Sequence, residues 1–145
     1  MKTQYIEAEQ VINASPTQVW DLLTNPERTP AYMFGCTVLC DWQVGSPMIW
    51  RGQADGVDYI KGSLVGLEPE KKLAFTVFDP LASYPDVPEN YLTVTYTLSL
   101  VDGGTHLHVR QGDYALVAEG AKRYEDTQAQ GGWSAVLKKI KELAE

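Results

Sequence analysis

The 145-residue chain is expected to form an α+β domain: a seven-stranded antiparallel sheet, two short helices after the first strand, and one long C-terminal helix covering the sheet. Two changes of hydrophobic period carry this expectation. From Gly35 to about Asp113 apolar residues recur at every second position between turn signals, whereas in about the last 25 residues they recur at helical spacing. No repeat, low-complexity tract or linker divides the chain, so residues 1–145 are read as a single domain.

The first strand falls within residues 2–12 and ends in Gln10, Val11 and Ile12. A sharp helix start follows, because Ser15 suits the N-cap, Pro16 the first helical position, and Gln18 completes a capping box. Val19, Trp20, Leu22 and Leu23 give this helix an apolar face, and Pro26 stops it near Asn25, since the residue before a proline avoids helical geometry. A second short helix is expected from the Asn25-Pro26-Glu27 cap until Pro30.

Six strands then follow, over residues 36–43, 47–55, 58–67, 72–79, 91–101 and 104–113. In the clearest of them Leu92, Val94, Tyr96, Leu98 and Leu100 alternate with Thr93, Thr95, Thr97 and Ser99, which gives one buried face and one wet face. Leu73, Phe75 and Val77 repeat the rule. Residues 79–90, with Pro80, Pro85 and Pro88, read as a flap between two strands. The terminal helix should start between Gly120 and Tyr124, with Trp133, Val136, Leu137, Ile140 and Ala144 on one side and Lys138, Lys139, Lys141 and Glu142 on the other. Gly131 and Gly132 interrupt it, and each mid-helix glycine costs about 1 kcal/mol relative to alanine. The pair either leaves room where the helix crosses a cavity, or marks close packing or a break.

Charge and motif usage narrow the function classes. Nineteen acidic against 12 basic residues give a net charge of −7, so no nucleic-acid partner is expected, because little here would neutralise phosphates. No run approaches the length of a membrane span, and the N-terminus has no apolar signal core, so a cytoplasmic protein without membrane insertion is expected. Cys36 and Cys40 lie roughly 13 Å apart along one strand, too far to bridge, and read as buried thiols of a reducing compartment. His106 and His108 oppose the buried parity of Leu107 and Val109, so they should face solvent; with no third ligand beside them, no metal is expected. No G-x-S-x-G elbow, phosphate loop or dinucleotide fingerprint is present, and no cofactor is implied.

A seven-stranded sheet is too wide for one helix to fill, so a cavity should lie between them. By strand parity and helix phase, Trp42, Trp50, Phe75, Tyr96, Tyr114, Trp133 and Leu137 are the candidates to line it. Arg51, Asp55, Gln111 and Asp113 lie near strand ends. Any that enter the cavity would act as an acid–base pair or orient a ligand; otherwise they are solvated.

The segments VINASPTQVWDLLTNPERTPAYM, GSLVGLEPEKKLAFTV and GGWSAVLKKIKELAE, in this order, resemble the START-related, Bet v 1-like (SRPBCC) helix-grip superfamily. Within it they are most similar to the branch named for the activator of Hsp90 ATPase homologue 1. The resemblance implies a curved sheet gripping the C-terminal helix around a hydrophobic pocket. Its members include lipid and hormone carriers, polyketide cyclases, ring-hydroxylase subunits and co-chaperone domains, so it does not select a reaction. Three readings follow. One is non-catalytic binding of a small hydrophobic or aromatic molecule, favoured by the aromatic residues and the missing catalytic signatures. The others are a polyketide cyclase-like enzyme without metal or nucleotide cofactor, and an accessory protein of an Hsp90-type chaperone partner.

Overall fold

Strands β1 (Ile6–Ile12), β2 (Cys36–Cys40), β3 (Pro47–Gly52), β4 (Asp58–Glu68), β5 (Lys72–Val77), β6 (Leu92–Val101) and β7 (Gly104–Gly112) form one antiparallel sheet in a computed structural model that describes residues 3–145. Met1 and Lys2, at the head of the predicted first strand, lie outside the described residues. The strand order is β1-β7-β6-β5-β4-β3-β2: a meander from β2 to β7, with β1 returning to close the other flank. Register shifts between Trp50 and Arg51 and between Leu64 and Gly66 break the pairing of β3, β4 and β5, and such bulges bend and twist a sheet.

The inner face is built by alternation. Met48, Trp50, Leu64, Leu73, Phe75, Leu92, Val94, Tyr96, Leu107 and Val109 are all buried, while Thr93, Thr95 and Thr97 take the other side of β6. Leu100 departs from the expected buried face. It follows Leu98 on the same parity but stands 78% exposed, because β6 there runs beyond its apolar cover toward the β6–β7 turn. His106 and His108 lie on the outer face, partly exposed, paired with Glu9 at 3.3 Å and Glu7 at 2.9 Å.

Helix α1 (Pro16–Thr24) starts on the capping box read from sequence: the Gln18 amide N–H donates to Ser15 Oγ at 3.2 Å, and Ser15 N–H donates to Gln18 Oε1 at 2.9 Å. The second short helix is a single 3₁₀ turn, Thr29–Ala31. Pro30 sits inside that turn and does not end it, since the first turn of a helix has no use for the missing N–H.

The long C-terminal helix is corrected to two. α2 (Gly120–Ala129) ends before Gly131 and Gly132, whose φ values of +95° and +60° lie in the left-handed region, and α3 (Ser134–Ala144) then sets off in a new direction. The break serves packing. α3 buries Val136, Leu137 and Ile140 against β1 and α1, whereas α2 buries only Gly120 and lies beside the 3₁₀ turn Tyr114–Leu116. No helix of the described residues is long and apolar enough to cross a membrane.

Four surface carboxylates, Asp58 among them half-buried, are held below their usual range: Asp55 by the Tyr59 hydroxyl, Asp58 by Arg51, Asp86 by Lys61 and Tyr91, and Glu145 by the Asn13 backbone and Lys141. A carboxylate whose pKa is lower folded than unfolded favours folding above the ordinary carboxylate range, and that contribution is lost as pH falls through its folded value. Thermal unfolding should therefore begin at a lower temperature at about pH 3 than at about pH 7. An unchanged or higher midpoint in acid would contradict these pairings.

Candidate functional site

Between the inner face of the sheet and the C-terminal helices lies a cavity of about 430 Å³. The sheet supplies Trp50, Ile60, Phe75, Val77, Val94 and Gln111, and the helical side supplies Thr127, Gln130, Gly132, Trp133 and Val136. Met33, Phe34, Cys36 and Tyr59 complete the wall. Phe34 is 82% exposed and Tyr59 42% exposed, which places the mouth on this side. The chain turns there through Phe34 and Gly35, both with positive φ.

None of the 15 lining residues carries a formal charge at neutral pH. The Cys36 thiol is pushed up by burial and by the nearby Asp55 carboxylate, which keeps it protonated. Polar atoms are few and mostly engaged. The Thr127 hydroxyl donates to the Arg123 carbonyl at 2.9 Å, and the Tyr59 hydroxyl donates to Asp55. Trp133 Nε1–H donates to Gln111 Oε1 at 2.9 Å, inside the wall itself. The helical side is pinned at the start of α2, where Arg123 donates to the Asn90 carbonyl at 3.1 Å and lies 4.3 Å from the Tyr84 ring.

A family model described as activator of Hsp90 ATPase homolog 1-like protein matches residues 13–145. The chain belongs to this family. No curated protein matches it in sequence. Among solved structures, it is similar to the solution structure of ChR145 from Cytophaga hutchinsonii, at 34% identity over 99% of this chain and 95% of that one, with a TM-score of 0.74. It also shares its fold with a protein described as the Aha1 dimer from Colwellia psychrerythraea, at 17% identity, 98% and 96% coverage and a TM-score of 0.71. DynU16, a putative protein of the dynemicin biosynthetic locus, shares the fold at 16% identity over 97% of this chain and 47% of that one, with a TM-score of 0.72.

In this member of the family, three of the predicted aromatic residues, Trp50, Phe75 and Trp133, line the cavity together with Gln111. Tyr96 stands behind them, 1% exposed, and closes a chain of ring contacts: Trp50 to Phe75 at 5.9 Å, Phe75 to Tyr96 at 6.2 Å, Tyr96 to Trp133 at 5.9 Å and nearly perpendicular. Tyr114 is buried against Tyr124, and Leu137 is buried in the core with the apolar face of α3, so neither forms part of the cavity wall.

Three predicted residues lie elsewhere. Trp42 follows the end of β2 at Cys40 with a φ of +58°, which takes it out of the strand's alternation and away from the cavity. Arg51 points outward because its neighbour Trp50 points inward, and it pairs with Asp58 at 2.6 Å. Asp113 caps the 3₁₀ turn, accepting from Ala115 N–H at 2.9 Å and from Gln4 N–H at 2.7 Å. Of the lining residues that sequence reasoning missed, Val77 and Val94 share a strand parity with Phe75 and Tyr96. Met33 and Phe34, at the mouth, fall in a turn with no periodic signal.

Among the described residues, the Tyr96 hydroxyl is a buried side-chain polar atom without a hydrogen-bond partner, and burial pushes its pKa far above the usual tyrosine range. Because a buried hydroxyl without a partner is unfavourable, Tyr96→Phe should leave stability unchanged or raise it by about 1 kcal/mol. Urea denaturation tests this. A loss of more than about 1 kcal/mol would show that the hydroxyl is bonded.

Proposed function

We propose that this family member binds a small, largely apolar molecule between the sheet and the C-terminal helices. The observation that carries the reading is the uncharged, aromatic-lined cavity of about 430 Å³, a volume within the range of small-molecule sites. Apolar rings gain from leaving water, and Trp50, Phe75 and Trp133 present faces and edges on which a flat ligand can stack. An acid–base reaction would instead call for two convergent ionisable groups, and the lining residues offer a protonated thiol and a tyrosine already committed to Asp55.

A titration with the neutral fluorophore N-phenyl-1-naphthylamine tests the reading. Its emission should rise saturably at one site per chain while the protein's tryptophan emission falls, because Trp50 and Trp133 lie against the bound probe. Val136→Phe, which pushes a ring into the cavity from α3, should weaken binding without unfolding the chain. Unsaturable partitioning, identical in both proteins, would overturn the proposal.

A further inference from the structure

Resting on that reading, we infer that the ligand is an uncharged aromatic molecule carrying a hydrogen-bond acceptor such as a carbonyl, and that Gln111 is the residue that selects for it. Gln111 shares the inward parity of Leu107 and Val109 on β7 and lies opposite Val94 of β6 and Ile6 of β1. It is thus an amide at a position where the pattern calls for a hydrocarbon.

Its orientation is set by chemistry. An indole N–H can only donate, so the atom of the carboxamide that faces Trp133 Nε1 at 2.9 Å must be the oxygen. The NH₂ end is left with its two donors: it donates to no described residue, and Gln111, a half-buried lining residue, is not sealed in the core. The other polar groups compete little: the Cys36 thiol is only a weak donor, and the unpartnered Tyr96 hydroxyl is buried behind the lining rings. The hydroxyls of Thr127 and Tyr59 have given their protons to the Arg123 carbonyl and to Asp55, the indole N–H is taken by Gln111 itself, and Gln130 is exposed to water at the rim.

The inner wall therefore offers a neutral donor and no counter-charge. A ligand carboxylate or ammonium would enter without a partner, at a large desolvation cost, whereas a carbonyl would exchange its water for the Gln111 amide.

The test compares 9-fluorenone, fluorene and fluorene-9-carboxylate, three compounds of nearly one shape, on the whole chain and on Gln111→Leu. The ratio of ketone to hydrocarbon affinity should fall by about three- to tenfold in the variant, the worth of one neutral hydrogen bond. A merely structural role for Gln111 would weaken both compounds alike and leave that ratio unmoved, which would overturn the inference while leaving the cavity reading intact. Tighter binding of the carboxylate than of the ketone would also overturn it. Binding of none of the three would remove the cavity reading and this inference together. A second measurement uses the unmodified chain: the Gln111 side-chain amide signal should shift downfield with 9-fluorenone and not with fluorene, and equal shifts would contradict a bond to the carbonyl.

Discussion

Phe75→Ala is expected to lower the stability of the fold by about 3–5 kcal/mol, the cost of deleting a buried phenyl ring and leaving its space behind. Phe75 is 1% exposed and sits in β5 opposite Val94 of β6 and Leu64 of β4. Its ring joins Trp50 at 5.9 Å to Tyr96 at 6.2 Å, so its removal parts the two halves of the aromatic chain. The neighbours cannot close the gap, since the strands are fixed by their pairing and the far side of the ring is already cavity. Phe75→Leu, which keeps most of the volume, should lose less than about 1.5 kcal/mol. Urea denaturation of both variants measures the difference, and a loss below about 1 kcal/mol for the alanine would show that the ring is not a central packing element.

The double substitution Gly131→Ala with Gly132→Ala is expected to lower stability by about 2–4 kcal/mol, because each L side chain forced into the left-handed region costs about 1–2 kcal/mol. The two φ values, +95° and +60°, place both residues there, and a Cβ on Gly132 would also approach Ile6 Cγ2 to 3.3 Å. Alanine in a continuous helix is in turn favoured over glycine by about 1 kcal/mol, so both effects push α2 and α3 toward one straight helix. Straightening would carry Thr127 on α2, and Gln130 and Trp133 in the break, away from their places in the wall. The variant should lose affinity for N-phenyl-1-naphthylamine as well as stability. Undiminished stability and binding would mean that the break is not required.

These two sites also mark the boundary of what the amino-acid sequence discloses. The α1 capping box and the alternation along β6 are legible because each rests on residues close together in the chain: Ser15 with Gln18, and Val94 with Tyr96. The cavity's aromatic wall is legible only in part: Trp50, Phe75 and Trp133 follow from strand parity and helix phase, while Trp42, Tyr96 and Tyr114, placed by the same reasoning, do not line it. Parity fails where the chain leaves its element. Trp42 is turned away by one positive φ that no pattern announces, and Asp113 is held by a turn it caps itself. Parity also says nothing of cover, which is why Leu100 is exposed beside buried Leu98. In the sequence Gly131 and Gly132 admit room for a cavity, close packing or a break. The folded chain joins the first and the last of these, because the break is what brings Gly132 and Trp133 to the wall. The choice depends on where α3 packs, against β1 and α1 more than a hundred residues earlier in the chain, and local spacing cannot convey that.

The central claim, a small molecule held against Trp50 and Trp133, is tested most directly by the indole N–H signals of the four tryptophans in a nitrogen–proton correlation spectrum, recorded while N-phenyl-1-naphthylamine is added. The signals of Trp50 and Trp133 should move and saturate together, while those of Trp20 and Trp42, which do not line the cavity, hold still. No movement at Trp50 and Trp133, or movement confined to Trp20 and Trp42, would contradict the account.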